Sequence, residues 1–149
     1  MVRTYRLGGV STARARIFEY GVSVDRGWAA RSDRGGSVLP HEEDEWTPEH
    51  LLLAALARCS LTSFRYHARR AGLEPLAAAE TRGTVTRRDE DGRFAFVEIE
   101  LAIDAVLEPP PDAEMLRELV AKGERDCFVG ASLAVEPRYR WTVNGAEVG

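Results

Sequence analysis

A chain of 149 residues with a net charge of −4 has room for one sizeable core and no electrostatic reason to hold nucleic acid or an anionic membrane. At 44% hydrophobic and 30% charged, its composition is that of a globular protein. The opening MVRTYRLGGV lacks the apolar core of a signal peptide, and the longest apolar run, Leu51 to Ala57, is far below the ~20 residues of a membrane span, so one cytoplasmic domain over residues 1–149 is expected.

In chain order, residues 12–25 and 27–33 are β-compatible and are separated at Arg26-Gly27 by a turn or bulge. Residues 34–46 combine Gly35-Gly36, Pro40 and the acidic run Glu42 to Glu45, and read as a solvated loop rather than a metal site. Thr47 then offers an N-cap, Pro48 fits the first helical position, and Glu49 suits the positive end of the dipole. The helix should run to Ala71 and stop at Gly72. Its wheel groups Leu52, Ala55, Leu56, Cys59, Thr62, Ser63 and Tyr66, while Leu53, Ala57, Phe64 and Ala68 widen the apolar surface. One small subunit does not easily surround such a helix.

Two strands follow, near 79–88 and 93–107, joined by a turn at Asp89 to Gly92. The second should point Phe94, Phe96, Ile99, Leu101, Ile103 and Val106 inward, with a register adjustment near Val97. After Pro109-Pro110-Pro111, Asp112 caps a helix over about 112–126 that buries Met115, Leu116, Leu119 and Val120, and a last strand covers about 134–143. This order, with hairpins rather than βαβ crossovers, predicts an α+β fold of antiparallel sheets packed around two main helices.

Cys59 and Cys127 stand 68 positions apart, and neither has a CxxC partner. In a reducing compartment such a pair is either inert packing or redox chemistry. His41, His50 and His67 have no ligand spacing and read as surface or capping groups; Trp28, Trp46 and Trp141 read as core or interface anchors.

TPEHLLLAALARC (47–59), RGWAARSDRGG (26–36) and AKGERDCFVGASLAV (121–135), in this order and spacing, resemble the OsmC/Ohr family of osmotically induced and organic-hydroperoxide-resistance proteins. The resemblance spans about residues 12–143. It implies an intertwined homodimer and a peroxidase of two cysteines, with no metal, flavin or haem. By position, Cys59 is the peroxidatic thiol, Cys127 the resolving thiol, Glu49 the helix-start carboxylate and Arg26 the thiolate-binding arginine, with Arg14, Arg16, Arg31 and Arg34 nearby. The implied substrate is an organic hydroperoxide and the implied reductant an external dithiol of lipoyl type. Two departures stand out. Phe128 replaces the usual proline after the second cysteine, and Ser60 an often aromatic residue after the first. They keep open a second reading, a catalytically weak OsmC-like dimer that binds an apolar small molecule.

The chemistry sets conditions of its own. A thiol in apolar surroundings has a raised pKa, and Cys59 is too deep in its helix for the dipole to help, so reactivity needs a cation from another element. Arg58 points ~100° away. Glu49 lies ~15 Å along the helix from Cys59 and would reach only the Cys59 region of an antiparallel partner helix. Cys127, at the C-terminal end of its helix, suits resolution better than attack. The second helix should pack on the first and bring the two thiols together.

Overall fold

The computed structural model describes residues 17–38 and 45–149. The chain divides into two compact units, Met1–Trp46 and Thr47–Gly149. The described part of the first is a three-stranded antiparallel sheet, β1 (Val22–Val24), β2 (Ala30–Ser32) and β3 (Ser37–Val38). Asp25 shapes its first turn by accepting the Gly27 and Ala29 amides at 2.9 and 3.1 Å, with Arg31 paired to the same carboxylate. β3 falls within the segment whose sequence predicts a loop, because a two-residue strand is too short to show a periodicity. Residues 12–16 of the first expected strand, His41 and the carboxylates 42–44 lie outside the described residues.

The second unit opens with α1 (Pro48–Arg70). Thr47 caps it as expected, and His50 completes a capping box by accepting the Thr47 backbone N–H at 3.2 Å through Nδ1. Ala71 is the C-cap, and Gly72 leaves the helix at φ 80°, a left-handed turn that glycine makes without strain. The buried face of α1 is Leu56, Ser60, Phe64 and Ala68, a strict i, i+4 row. The expected face is displaced by part of a turn: Cys59 and Ser63 border the core, while Ala55, Thr62 and Tyr66 are exposed. An apolar tally cannot locate the centre of a face when Ser60 lies within it.

β4 (Glu74–Arg87) and β5 (Phe94–Glu108) form a long antiparallel hairpin, closed by the turn in which Arg88 and Arg93 share a backbone bond and Gly92 takes φ 67°. Thr84 pairs with Glu98 and Val85 with Phe96, so Val97 is the extra residue of a bulge, where the pattern predicts one. From there the alternation runs unbroken and buries Ile99, Leu101, Ile103, Ala105 and Leu107. Val106, expected inward, therefore faces out, and Phe94, before the bulge, is 76% exposed.

α2 (Ala113–Arg125) starts at the Asp112 cap, whose Oδ1 accepts the Met115 amide at 2.8 Å. Where a strand is expected to follow Cys127, the chain makes a short helix, α3 (Phe128–Ser132), before β6 (Arg138–Val143). Because α2 and α3 carry the chain back along the sheet, β6 joins β5 in parallel, the one departure from the antiparallel pattern in the order β4-β5-β6-β7. Asn144-Gly145, both at positive φ, then turn into β7 (Ala146–Val148), a hairpin the sequence reading left out.

One core joins Leu56, Phe64 and Ala68 of α1 to the inner row of β5, to Leu119 of α2 and to Trp141 and Val143 of β6. Gly123 of α2 lies against Phe64, where an added Cβ would stand 3.4 Å from its Cα, so the two helices meet closely at that point. Of the three tryptophans only Trp141 is in the core, tilted 45° against Phe64 with ring centroids 4.8 Å apart and bonded through Nε1 to Glu124 at 2.8 Å; Trp28 and Trp46 are exposed. Among the described residues no helix is long and apolar enough to cross a membrane.

Candidate thiol site

α1 carries Cys59 at the edge of its buried face, and the α2–α3 junction carries Cys127. Docking of α2 across α1 at Gly123 and Phe64 brings the two side chains together, near enough for the Cys127 thiol to act on Cys59. Both are free; Cys59 is half-buried and Cys127 fully buried.

Burial pushes the Cys59 thiol up, and the Cys127 thiol adds to the rise. The backbone amides of Val129 and Phe128 oppose it by donating to the Cys59 sulfur. None of these influences within the second unit is a cation, in keeping with the sequence argument. Cys127 differs from expectation in its surroundings. It is one residue past the C-cap Asp126 of α2, and its side chain caps α3, accepting the Gly130 amide at 3.3 Å. The start of α3, not the end of α2, surrounds this sulfur. The sequence offered no sign of it, because FVGAS is too short to read as a helix.

The other two expected site residues are Glu49 and Arg26. Glu49 is in the first turn of α1, exposed, with its carboxyl lowered first by its own backbone N–H and then by Thr47. Ten residues of continuous helix keep it about 15 Å from Cys59 of the same chain. Arg26 is exposed in the β1–β2 turn of the first unit. Ser60 was legible in the sequence only as a departure from the family pattern, and Tyr139 and the His67–Asp126 pair were not legible as site residues. Ser60 donates to the Cys127 sulfur at 3.4 Å, and the Tyr139 hydroxyl lies beside Gly130 under the influence of both Ser60 and Cys127. A buried serine on an otherwise apolar face was the available signal.

The sequence profile of the OsmC-like protein family matches residues 41–142. The chain belongs to the OsmC-like family. Among curated proteins none matches in sequence. Solved structures agree on the OsmC-like fold. An OsmC-like protein of unknown function from Vibrio cholerae superposes with a TM-score of 0.74 at 16% identity, covering 85% of this chain and 100% of that one. An OsmC-like protein from Mycoplasma pneumoniae gives 0.67 at 17%, covering 86% and 97%. The organic hydroperoxide resistance protein OhrB of Bacillus subtilis gives 0.57 at 21%, covering 83% and 96%.

In this OsmC-like chain the residue before Cys127 ties the thiol segment to α1. Asp126 accepts from Arg125 at 2.8 and 3.0 Å and meets His67 Nε2 of α1 at 2.7 Å. The Arg125 guanidinium first, and His67 second, hold the Asp126 carboxyl at about 2. A carboxyl lowered by folding stabilises above its unfolded value, near 3.8, and loses that contribution as pH falls through the folded one. Asp126 is 35% exposed, so screening leaves about 1 kcal/mol. Between about pH 4 and pH 2 the wild type should therefore lose more stability than Asp126→Asn. Urea midpoints across that window test this, and parallel curves would refute it.

Proposed function

We propose that this chain is a thiol-dependent peroxidase that reduces organic hydroperoxides, working as a homodimer with Cys59 as attacking thiol and Cys127 as resolving thiol. The observation that carries the reading is the proximity of these two cysteines, close enough for one thiol to act on the other across 67 intervening residues. The fold shared with a hydroperoxide resistance protein supports it.

In the proposed cycle the Cys59 thiolate attacks the distal peroxide oxygen and the O–O bond breaks. The alkoxide leaves, takes a proton and departs as the alcohol, while Cys59 becomes a sulfenic acid. The Cys127 sulfur then displaces water from it and forms the disulfide, which an external dithiol of lipoyl class reduces. Amide donation from Phe128 and Val129 favours charge on Cys59, and burial opposes it. The missing cation is assigned to Arg26 on the resemblance. Glu49 is assigned to the Cys59 region of the partner copy, because its own helix holds it away. The exposed apolar side chains of α1, Leu51 and Tyr66, favour burial against a second copy. The dithiol reductant places the cycle in the cytoplasm.

The test is consumption of cumene hydroperoxide with dithiothreitol or dihydrolipoamide as reductant. Turnover is expected, with loss of two free thiols per chain when peroxide is added without reductant. Loss of no thiol would refute the reading. Light scattering at micromolar concentration should give twice the chain mass, and a monomer would remove the homodimer from the proposal.

A further inference from the structure

Ser60 follows Cys59 on α1, yet its hydroxyl serves the opposite thiol. It donates to the Cys127 sulfur at 3.4 Å, and the Gly130 amide donates to the same sulfur at 3.3 Å. The Tyr139 hydroxyl closes the third side. It lies beside Gly130, where an added Cβ would stand 3.0 Å from the hydroxyl and 3.4 Å from the Cys127 sulfur, and both Ser60 and Cys127 act on the phenol. Burial pushes the phenol up, so it stays a neutral donor. Ser60 and Cys127 are both wholly buried. A buried thiolate is costly unless donors meet it, and the Ser60 hydroxyl and the Gly130 amide both meet it here. Cys59 is the more accessible of the two sulfurs, and its surroundings disfavour charge.

We infer that Ser60, Gly130 and Tyr139 form a cradle that receives Cys127 as a thiolate when the Cys59–Cys127 disulfide opens, which directs the incoming reductant to Cys59. The reductant's thiolate forms a new S–S bond to the Cys59 sulfur as the old S–S bond breaks, and its electron pair leaves on Cys127. A dithiol then attacks its own bonded sulfur with its second thiolate, releasing Cys59 as thiolate and departing oxidised. Ser60 and Tyr139 act through Cys127 and are positioning residues. The place of this step in a cycle rests on the peroxidase reading, but its direction is a property of the disulfide itself.

The experiment uses the full chain oxidised with diamide, which takes two electrons from the thiols and needs no peroxidase activity. Brief treatment with glutathione, an acid quench, alkylation with N-ethylmaleimide and trypsin separate the thiols onto peptides 59–65 and 126–138. Glutathione is expected on 59–65 over 126–138 by at least about ten to one, with N-ethylmaleimide on 126–138. Ser60→Ala and Tyr139→Phe should each slow the opening about fivefold, with circular dichroism verifying the fold. Glutathione on 126–138, an even split, rates unchanged in both variants, or failure of diamide to link the thiols would overturn the inference. A chain that gives the expected pattern yet consumes no cumene hydroperoxide keeps this inference and loses the peroxidase reading.

Discussion

Cys59→Ser should bring hydroperoxide consumption down to the rate of the dithiol alone, a fall of at least about a thousandfold. A serine hydroxyl is far less acidic and less nucleophilic than a thiol and cannot cleave an O–O bond. Cys127→Ser should behave differently: one equivalent of peroxide is consumed, sulfenic acid persists on Cys59, and no intrachain disulfide forms. Peroxide assays and thiol-specific mass spectrometry separate the two variants. Retained turnover in Cys59→Ser would end the assignment of the attacking thiol. Faster alkylation of Cys127 than of Cys59 at neutral pH in the wild type would reverse the two roles. The same assay tests Arg26→Ala, and an unchanged rate would remove that arginine from the proposal.

Phe64→Ala should cost about 3–5 kcal/mol of folding stability, the largest effect expected of a single core substitution here. The ring is fully buried, packs tilted against Trp141 and fills the space where α2 meets α1 closely at Gly123. The surrounding backbone has two helices and a sheet to move and cannot collapse into the void. Thermal unfolding should drop by roughly 10–20 °C, and urea unfolding should give the same loss. The consequence for the thiols is separate and measurable. Phe64 lies one helical turn beyond Ser60, and Glu124, next to Gly123, is tied to Trp141. Loosening that seam should slow disulfide formation by diamide in the folded variant at low temperature. A stability loss under 1 kcal/mol would mean that the α1–α2 seam is held elsewhere.

Much of this chain is determined locally, and there the sequence suffices. Thr47-Pro48 starts a helix because the side-chain oxygen and the proline ring suit orphan N–H groups, and Gly72 ends it because it takes φ 80° without strain. The β4–β5 hairpin, its turn and the bulge at Val97 follow from period-two patterning and one change of phase. The family likeness rests on such segments in order, and the thiols meet because an amphipathic α2 has α1 to pack on.

Only the tertiary structure decided which side of α1 is core, because Ser60 counts as polar in sequence and is buried by its bond to Cys127. The parallel seating of β6 depends on where α2 and α3 deliver the chain, a long-range outcome with no local signature. So does the setting of Cys127. Its position after α2 suggested the negative end of a dipole, whereas the five residues that follow fold over the sulfur and turn an amide towards it. Tyr139 joins that cradle because β6 lies beside β5, with Leu101 and Tyr139 opposite one another. Contacts between residues far apart in sequence are set by the packing of whole elements, and residue spacing alone does not encode them.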